Sequence, residues 1–369
     1  MRLHAGVAPV SARKLAIVEN DPAYQPTEID GGRVSNFEFR QTADRFASPR
    51  SDRLDHERPL VSGWLAERTL SERGTTAIVR VHHQDDRKRT PFVAKILQPN
   101  GGARHFDDLR TQLFREVVAL RTLGALGCPN IPPVITFGIE TRCEPQLWYV
   151  MPYYTAGAMW RSDGGTGAWA ENYRGNVDRV MYVAEVLATT LAFMHDSARR
   201  CIHLDVCVEN VLLNAVGGRP ILADFSNARL EGHDLPADPS APRSWRPPEL
   251  DRSTTGKITV AADIFMLGGL IYEALSGGRQ LPPASTWSWP FPHKRSEYSL
   301  RRETADARIG AVAEMLCGML ARSPKNRMTA AQVARACHAI RIGRTTARDG
   351  VKFVTTTQRN TRRPAPGHE

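Results

Sequence analysis

His203-Leu204-Asp205, Asn210 five residues past the aspartate, and then Ala223-Asp224-Phe225-Ser226 form the ordered run that decides the reading of this chain. Apolar Val211-Leu212-Leu213 and Ile221-Leu222 lie between them and read as short buried strands. A carboxylate on a loop can orient a hydroxyl and accept its proton. A second carboxylate, with a side-chain amide, offers oxygen ligands to a divalent cation. Asp205, Asp224 and Asn210 supply those groups. A lone H-x-D triplet carries little information; all three parts in this order and spacing carry much more.

The bulk of the chain bounds what can surround that run. Its 369 residues can bury a large core, as one bilobal unit or as two smaller domains. Hydrophobic content of 41% and charged content of 24% place it with globular chains. No apolar run approaches the roughly 20 residues of a membrane helix, and the N-terminus lacks a charged-then-apolar leader pattern. The expectation is an intracellular protein without a membrane partner. Six cysteines (128, 143, 201, 207, 317, 337) form no C-x-x-C pair and read as reduced thiols rather than disulfides or a metal site.

Much of the formal charge of +10 lies near the C-terminus, where Arg341, Arg344, Arg348, Lys352, Arg359, Arg362 and Arg363 face only Asp349 and Glu369. That fits a tail that touches nucleic acid or directs localisation, and it fits a solvated basic tail equally well. No interleaving of aromatic and basic residues marks a dedicated nucleic-acid domain.

Residues 1–57 are punctuated by Pro, Asp and Arg without periodicity and read as a flexible N-terminal extension. A domain over 58–340 follows, and 341–369 form the basic tail. Strands are expected at Leu60–Leu65, Ala77–His82, Pro91–Leu97, Val134–Gly138 and Leu147–Met151. One helix is expected among them, from Leu109, Leu113, Val117 and Leu120 at the 3.6-residue period. Beyond a Gly-rich stretch, 157–175, helical patterns dominate: Val177–Met194, Ala261–Leu275, Ile309–Leu320 and Ala330–Ile340. The fold class is therefore α+β, with a β-rich N-lobe over 58–151 and an α-helical C-lobe over 155–340.

The run around Asp205 resembles the H-R-D-x-x-x-x-N and D-F-G segments of protein kinases, with two letters changed. The resemblance extends over about residues 60–340. Val93-Ala94-Lys95 resembles the strand whose lysine binds the α- and β-phosphates, and Glu116, 21 residues on, matches its helix glutamate. Pro247-Pro248-Glu249 resembles A-P-E; Asp263 opens a D-x-W-x-x-G-like helix, and Arg327 sits where the partner of that glutamate is expected. The resemblance implies ATP with Mg²⁺ or Mn²⁺, protein substrates, and Ser/Thr transfer. Asp205, Lys95, Glu116 and Asn210 would be catalytic, and Asn210 and Asp224 would hold the metal. Gly74, Ala77, Val79, Ala94, Lys95, Met151, Tyr153 and Leu212 would bind the nucleotide, with Met151 limiting the back pocket. Phe225 would pack towards Leu120 and His203.

Four departures qualify it. Glu72 and Ala77 stand at two glycine positions of the phosphate-covering loop, leaving only Gly74. Leu204 replaces the arginine that binds an activation-segment phosphate, which implies independence of that phosphorylation. Ser226 replaces a glycine, and Cys207 replaces the lysine that steadies the transferring phosphate. The activation segment carries Ser240 and Ser244 but neither threonine nor tyrosine. The alternative is a pseudokinase scaffold. The strings His-Leu-Asp-Val, Leu-Ala-Asp-Phe-Ser and Pro-Pro-Glu-Leu are similar to the conserved herpesvirus protein kinase, alphaherpesvirus branch. That likeness implies a virion tegument and host-nucleus location; a cellular kinase would be cytoplasmic or nuclear.

Overall fold

The computed structural model describes residues 58–61, 63–73, 76–97, 103–140, 146–159, 172–196, 200–214, 218–230, 246–250, 258–278 and 299–343. The N-terminal extension, Gly74, Ser240, Ser244 and the tail beyond residue 343 lie outside them. Two compact units emerge. One takes the chain up to Arg161 together with Phe193–Asp205 and Glu209–Leu230; the other takes Ser162–Ala192, Val206–Val208 and the chain from Glu231 on.

The first unit is built on a six-stranded sheet where five strands were expected. Its strands are β1 (Arg58–Val61), β2 (Trp64–Arg73), β3 (Thr76–His83), β4 (Phe92–Leu97), β5 (Thr136–Glu140) and β6 (Gln146–Pro152), in the order β1-β2-β3-β4-β6-β5. The apolar run Leu60–Leu65 is not one strand. Gly63, at φ +76°, turns the chain within it, so that Val61 pairs with Trp64 across an antiparallel hairpin. Positive φ is cheap for glycine, which has no Cβ.

Strand pleating sorts the sheet into two faces. Ala77, Val79 and Val81 of β3, Ala94 and Ile96 of β4, and Trp148 and Val150 of β6 form one apolar cluster with Val61 and Trp64. The alternate residues point to the other face. There Lys95 of β4 is the register partner of Ile78 in β3 and of Tyr149 in β6. Helix α1 (Ala103–Ala125) buries the stripe Leu109, Leu113, Val117, Leu120 and Leu123, the i, i+4, i+8 spacing expected of it. Glu116 lies on that same stripe and is fully buried.

The second unit is helical. Helix α2 (Val177–Asp196), which belongs to it as far as Ala192, is followed by α3 (Ala261–Ser276), α4 (Ile309–Met319) and α5 (Ala330–Arg341), with α4 packed on both α3 and α5. Every residue of α3 from Ala262 to Ser276 is buried, as an all-round apolar helix requires. Gly277, at φ +73°, ends it in the left-handed conformation. Thr329 and Gln332 close a reciprocal capping box at the start of α5. The α+β class holds, with strands first and helices after.

Candidate active site

Five short strands fix the two loops that carry Asp205 and Asp224. β8 (Cys201–Ile202) leads into His203, and β9 (Val211–Leu213) takes the chain up after Asn210. β10 (Pro220–Leu222) leads into Asp224, and β11 (Arg229–Leu230) follows Ala228. β9 pairs with β10 and with β7 (Gly157–Ala158), and β8 pairs with β11. Each loop is thus anchored at one end in each small sheet. The Ala223 amide donates to the Asn210 carbonyl at 2.8 Å, tying the loops together.

His203 strengthens that tie. Its Nδ1 accepts from the Asp205 amide at 3.2 Å, which leaves Nε2 as the protonated nitrogen facing the Ala223 carbonyl at 3.2 Å. Its ring meets Phe225 edge-on, with centroids 4.6 Å apart, and helix α1 packs on the turn Phe225–Asn227. The sequence placed Phe225 against His203, and the two rings meet.

Lys95 is the hub of a buried charged cluster. Its Nζ lies 3.0 and 2.9 Å from the two oxygens of Glu116 and 2.8 Å from Asp224 Oδ1. Burial works against the ammonium charge, but the carboxylates of Asp224 and Glu116 outweigh it and hold its pKa well above that of an ordinary lysine. Burial alone would push Asp224 up as well; the contact with Lys95 overcomes it and keeps that carboxyl ionised, well below the usual range. Burial pushes Glu116 up, against the pull of Lys95. Glu116 Oε1 also accepts from the Tyr149 hydroxyl at 2.9 Å and from the Phe225 amide at 3.2 Å.

Asp205 is placed differently. Asn227 Nδ2 reaches its Oδ2 at 3.4 Å, and Asn210 Nδ2 donates to its backbone carbonyl at 3.0 Å. Oδ1 is buried without a hydrogen-bond partner among the described residues. Burial pushes the carboxyl up to about 7, with the charge of Asp224 adding to it and the nearby Asn210 and Asn227 side-chain amides opposing.

The residues expected around the nucleotide divide between the two faces of the sheet. Ala77, Val79 and Ala94 belong to the apolar cluster, on the face away from Lys95. The residue two before the lysine, Val93, shares its face, opposite Met151 in β6 and Arg80 in β3. Tyr153 follows β6; its amide donates to Pro91 at 3.4 Å and the Arg80 guanidinium lies 5.1 Å above its ring. Leu212 is paired between Ile221 and Ala158 in the small sheet. Tyr149 and Asn227 were not singled out from the sequence, although each touches an acidic residue that was.

Comparison with known proteins agrees with this geometry. Residues 71–338 match the protein kinase domain family, and the chain belongs to that family. It is 36% identical over 184 residues, 47% of its length, to L-type lectin-domain containing receptor kinase IV.3 of Arabidopsis thaliana. It is 24% identical over 169 residues, 44% of its length, to the probable serine/threonine-protein kinase samkB of Dictyostelium discoideum. It is 28% identical over 161 residues, 41% of its length, to the tyrosine protein-kinase src-1 of Caenorhabditis elegans. The matched segments cover only 25%, 27% and 27% of those three relatives. Protein kinase domains in general use ATP with a divalent metal. No helix among the described residues is long and apolar enough to cross a membrane.

Proposed function

We propose that this chain is a serine/threonine protein kinase that moves the γ-phosphate of ATP onto protein hydroxyls. The observation that carries this reading is the state of Asp205, with one oxygen steadied by Asn227 and the other buried and open among the described residues. A buried acceptor left unpaired costs about 1–3 kcal/mol. An incoming hydroxyl would satisfy it and leave its proton there, and a carboxyl near pH 7 suits that exchange. Lys95, held charged by Glu116, supports a role in gripping the α- and β-phosphates.

Asn210 and Asp224 fit a Mg²⁺ or Mn²⁺ ion. Asp224 keeps its negative charge, and Asn210 spends its amide nitrogen on the Asp205 carbonyl, which leaves its oxygen as the ligand end. Among the described residues no three His, Cys, Asp or Glu gather to hold a metal alone. Two protein ligands completed by phosphate oxygens is the usual arrangement for Mg²⁺. A bound cation neutralises charge on the transferring phosphoryl group.

Narrower readings rest on fewer residues. Leu204, where phosphorylation-controlled kinases carry arginine, supports activity independent of the activation segment. The His-Leu-Asp-Val and Asp-Phe-Ser strings support a viral tegument kinase acting in the host nucleus, and the basic tail supports a nuclear location. Distribution unchanged by deletion after residue 340 would remove the last of these. Cys207 and the sparse glycines, in turn, favour a pseudokinase scaffold as the second reading.

Transfer of labelled γ-phosphate to casein or a basic protein, compared with Asp205→Asn, separates the two. Transfer that vanishes in the variant supports the kinase. No transfer by either protein, with ATP still raising the melting temperature, supports the scaffold.

A further inference from the structure

We infer that Tyr149 is a positioning residue of the phosphate-gripping pair, holding Glu116 in place from the sheet whatever Lys95 binds. This rests on the kinase reading above and adds a part to it. Glu116 is fully buried, so its two oxygens depend on protein donors. Lys95 supplies contacts at 2.9 and 3.0 Å, the Tyr149 hydroxyl one at 2.9 Å and the Phe225 amide one at 3.2 Å. Lys95 is a shared donor, because the same ammonium lies 2.8 Å from Asp224. Any ligand that draws Lys95 towards phosphate oxygens and Asp224 towards a cation weakens its hold on Glu116.

The other two donors differ in what anchors them. The Phe225 amide belongs to a loop, whereas Tyr149 stands in β6 as the register partner of Lys95 and is 1% exposed. A buried tyrosine ring on a paired strand has one place to put its hydroxyl, and here that place is Glu116 Oε1. The bond therefore joins helix α1 to the sheet without passing through Lys95. A buried apolar side chain at this position would fill the same core and leave Glu116 short of a donor.

Tyr149→Phe removes the hydroxyl and keeps the ring. Amide hydrogen exchange on the nucleotide-free protein is the first readout, since it needs neither ATP nor activity. Exchange is expected to quicken by about tenfold or more over residues 109–123 and 223–228, with the second unit unchanged; tenfold corresponds to about 1.4 kcal/mol. The second readout is affinity for a fluorescent ATP analogue with Mg²⁺ in a cycle with Glu116→Ala, which removes the acceptor. Affinity should fall about fivefold on Tyr149→Phe alone and by nothing further when Glu116 is already Ala, because contacting residues are not additive. Unchanged exchange in helix α1, or equal losses in both backgrounds, overturns the assignment. Failure of the unaltered protein to bind nucleotide would instead overturn the kinase reading, with the exchange result still deciding Tyr149.

Discussion

Arg327 and Glu249 meet as a bidentate pair in the helical unit, Nη1 2.5 Å from Oε1 and Nη2 2.7 Å from Oε2. The guanidinium also donates to the carbonyls of Ala321, Ala261 and Arg322 and lies 4.9 Å over the Phe265 ring. Both residues are buried, so neither charge has water to fall back on. Breaking such a pair from one side costs about 3–5 kcal/mol. Glu249→Ala and Arg327→Ala are each expected to lower the thermal midpoint by on the order of 10 °C. The double variant should lose less than the sum. Calorimetry of the three proteins checks this, and simple additivity would mean the pair is not coupled.

Asp205 gives the stability of the metal-free protein an unusual pH slope. Its folded pKa is raised to about 7, above the unfolded carboxylate value near 3.9. Between those values the folded state binds the extra proton, so stability falls as pH rises through the window from about 4 to about 7. The full loss is bounded by a few kcal/mol. Asp205→Asn has no such proton, and the variant should gain stability relative to the unaltered chain between pH 5 and pH 8. Urea midpoints in chelator at those two pH values measure it. A constant difference between the proteins would show that Asp205 titrates normally.

Gly175 carries a backbone requirement that can be tested by one methyl group. Its φ is +65°, and a Cβ built there would stand 2.6 Å from the Glu303 carbonyl oxygen. The left-handed conformation costs a non-glycine residue about 1–2 kcal/mol, and relieving the backbone clash adds about 1–3 kcal/mol. Gly175→Ala is therefore expected to destabilise by several kcal/mol, seen as a lower denaturation midpoint. Gly343 also has positive φ, +76°, but nothing among the described residues lies within 4 Å of its would-be Cβ. Gly343→Ala should pay only the conformational part.

What could be seen in the letters follows from the range of the interaction concerned. Glu116 was legible because its place 21 residues past Lys95, in a segment already read as helix, matches the kinase pattern, and the Asp205–Asn210 spacing lies within one loop. Tyr149 was not, because its contact depends on the register of β4 with β6, which no nearby residue announces. Ala94 and Lys95 were assigned together to the nucleotide by their letters, whereas the two-residue pleat puts them on opposite faces and gives Val93 the face of Lys95. Leu60–Leu65 read as one strand because its apolar ends hide a reversal that Gly63 makes possible. Glu249 and Arg327 are 78 residues apart, and only likeness to known kinases brought them together in advance.

The contact between Lys95 and Asp224 supplies a last test, because it lets one cation stand in for another. In the unliganded protein the ammonium is the counter-charge of fully buried Glu116 and of Asp224, whose side chain is 37% exposed. Lys95→Met removes it. Glu116 then keeps only neutral donors, and the loss should be about 3 kcal/mol, the low end of the range for breaking a buried pair, because Asp224 can turn to solvent. A divalent cation bound at Asp224 and Asn210 would return part of that charge. With 10 mM Mg²⁺ and a dissociation constant of about 1 mM, the recovery would be about 1.4 kcal/mol. Phosphate transfer would not return with it if Lys95 grips the α- and β-phosphates as proposed. The melting temperature of Lys95→Met is therefore expected to rise with Mg²⁺ while its activity stays at least about 100-fold down, the scale of losing one electrostatic contact to the reacting group. Adding Asp224→Asn should abolish the rise. A rise that persists without the Asp224 carboxylate would place the cation elsewhere and remove the assignment of Asn210 and Asp224 as its ligands.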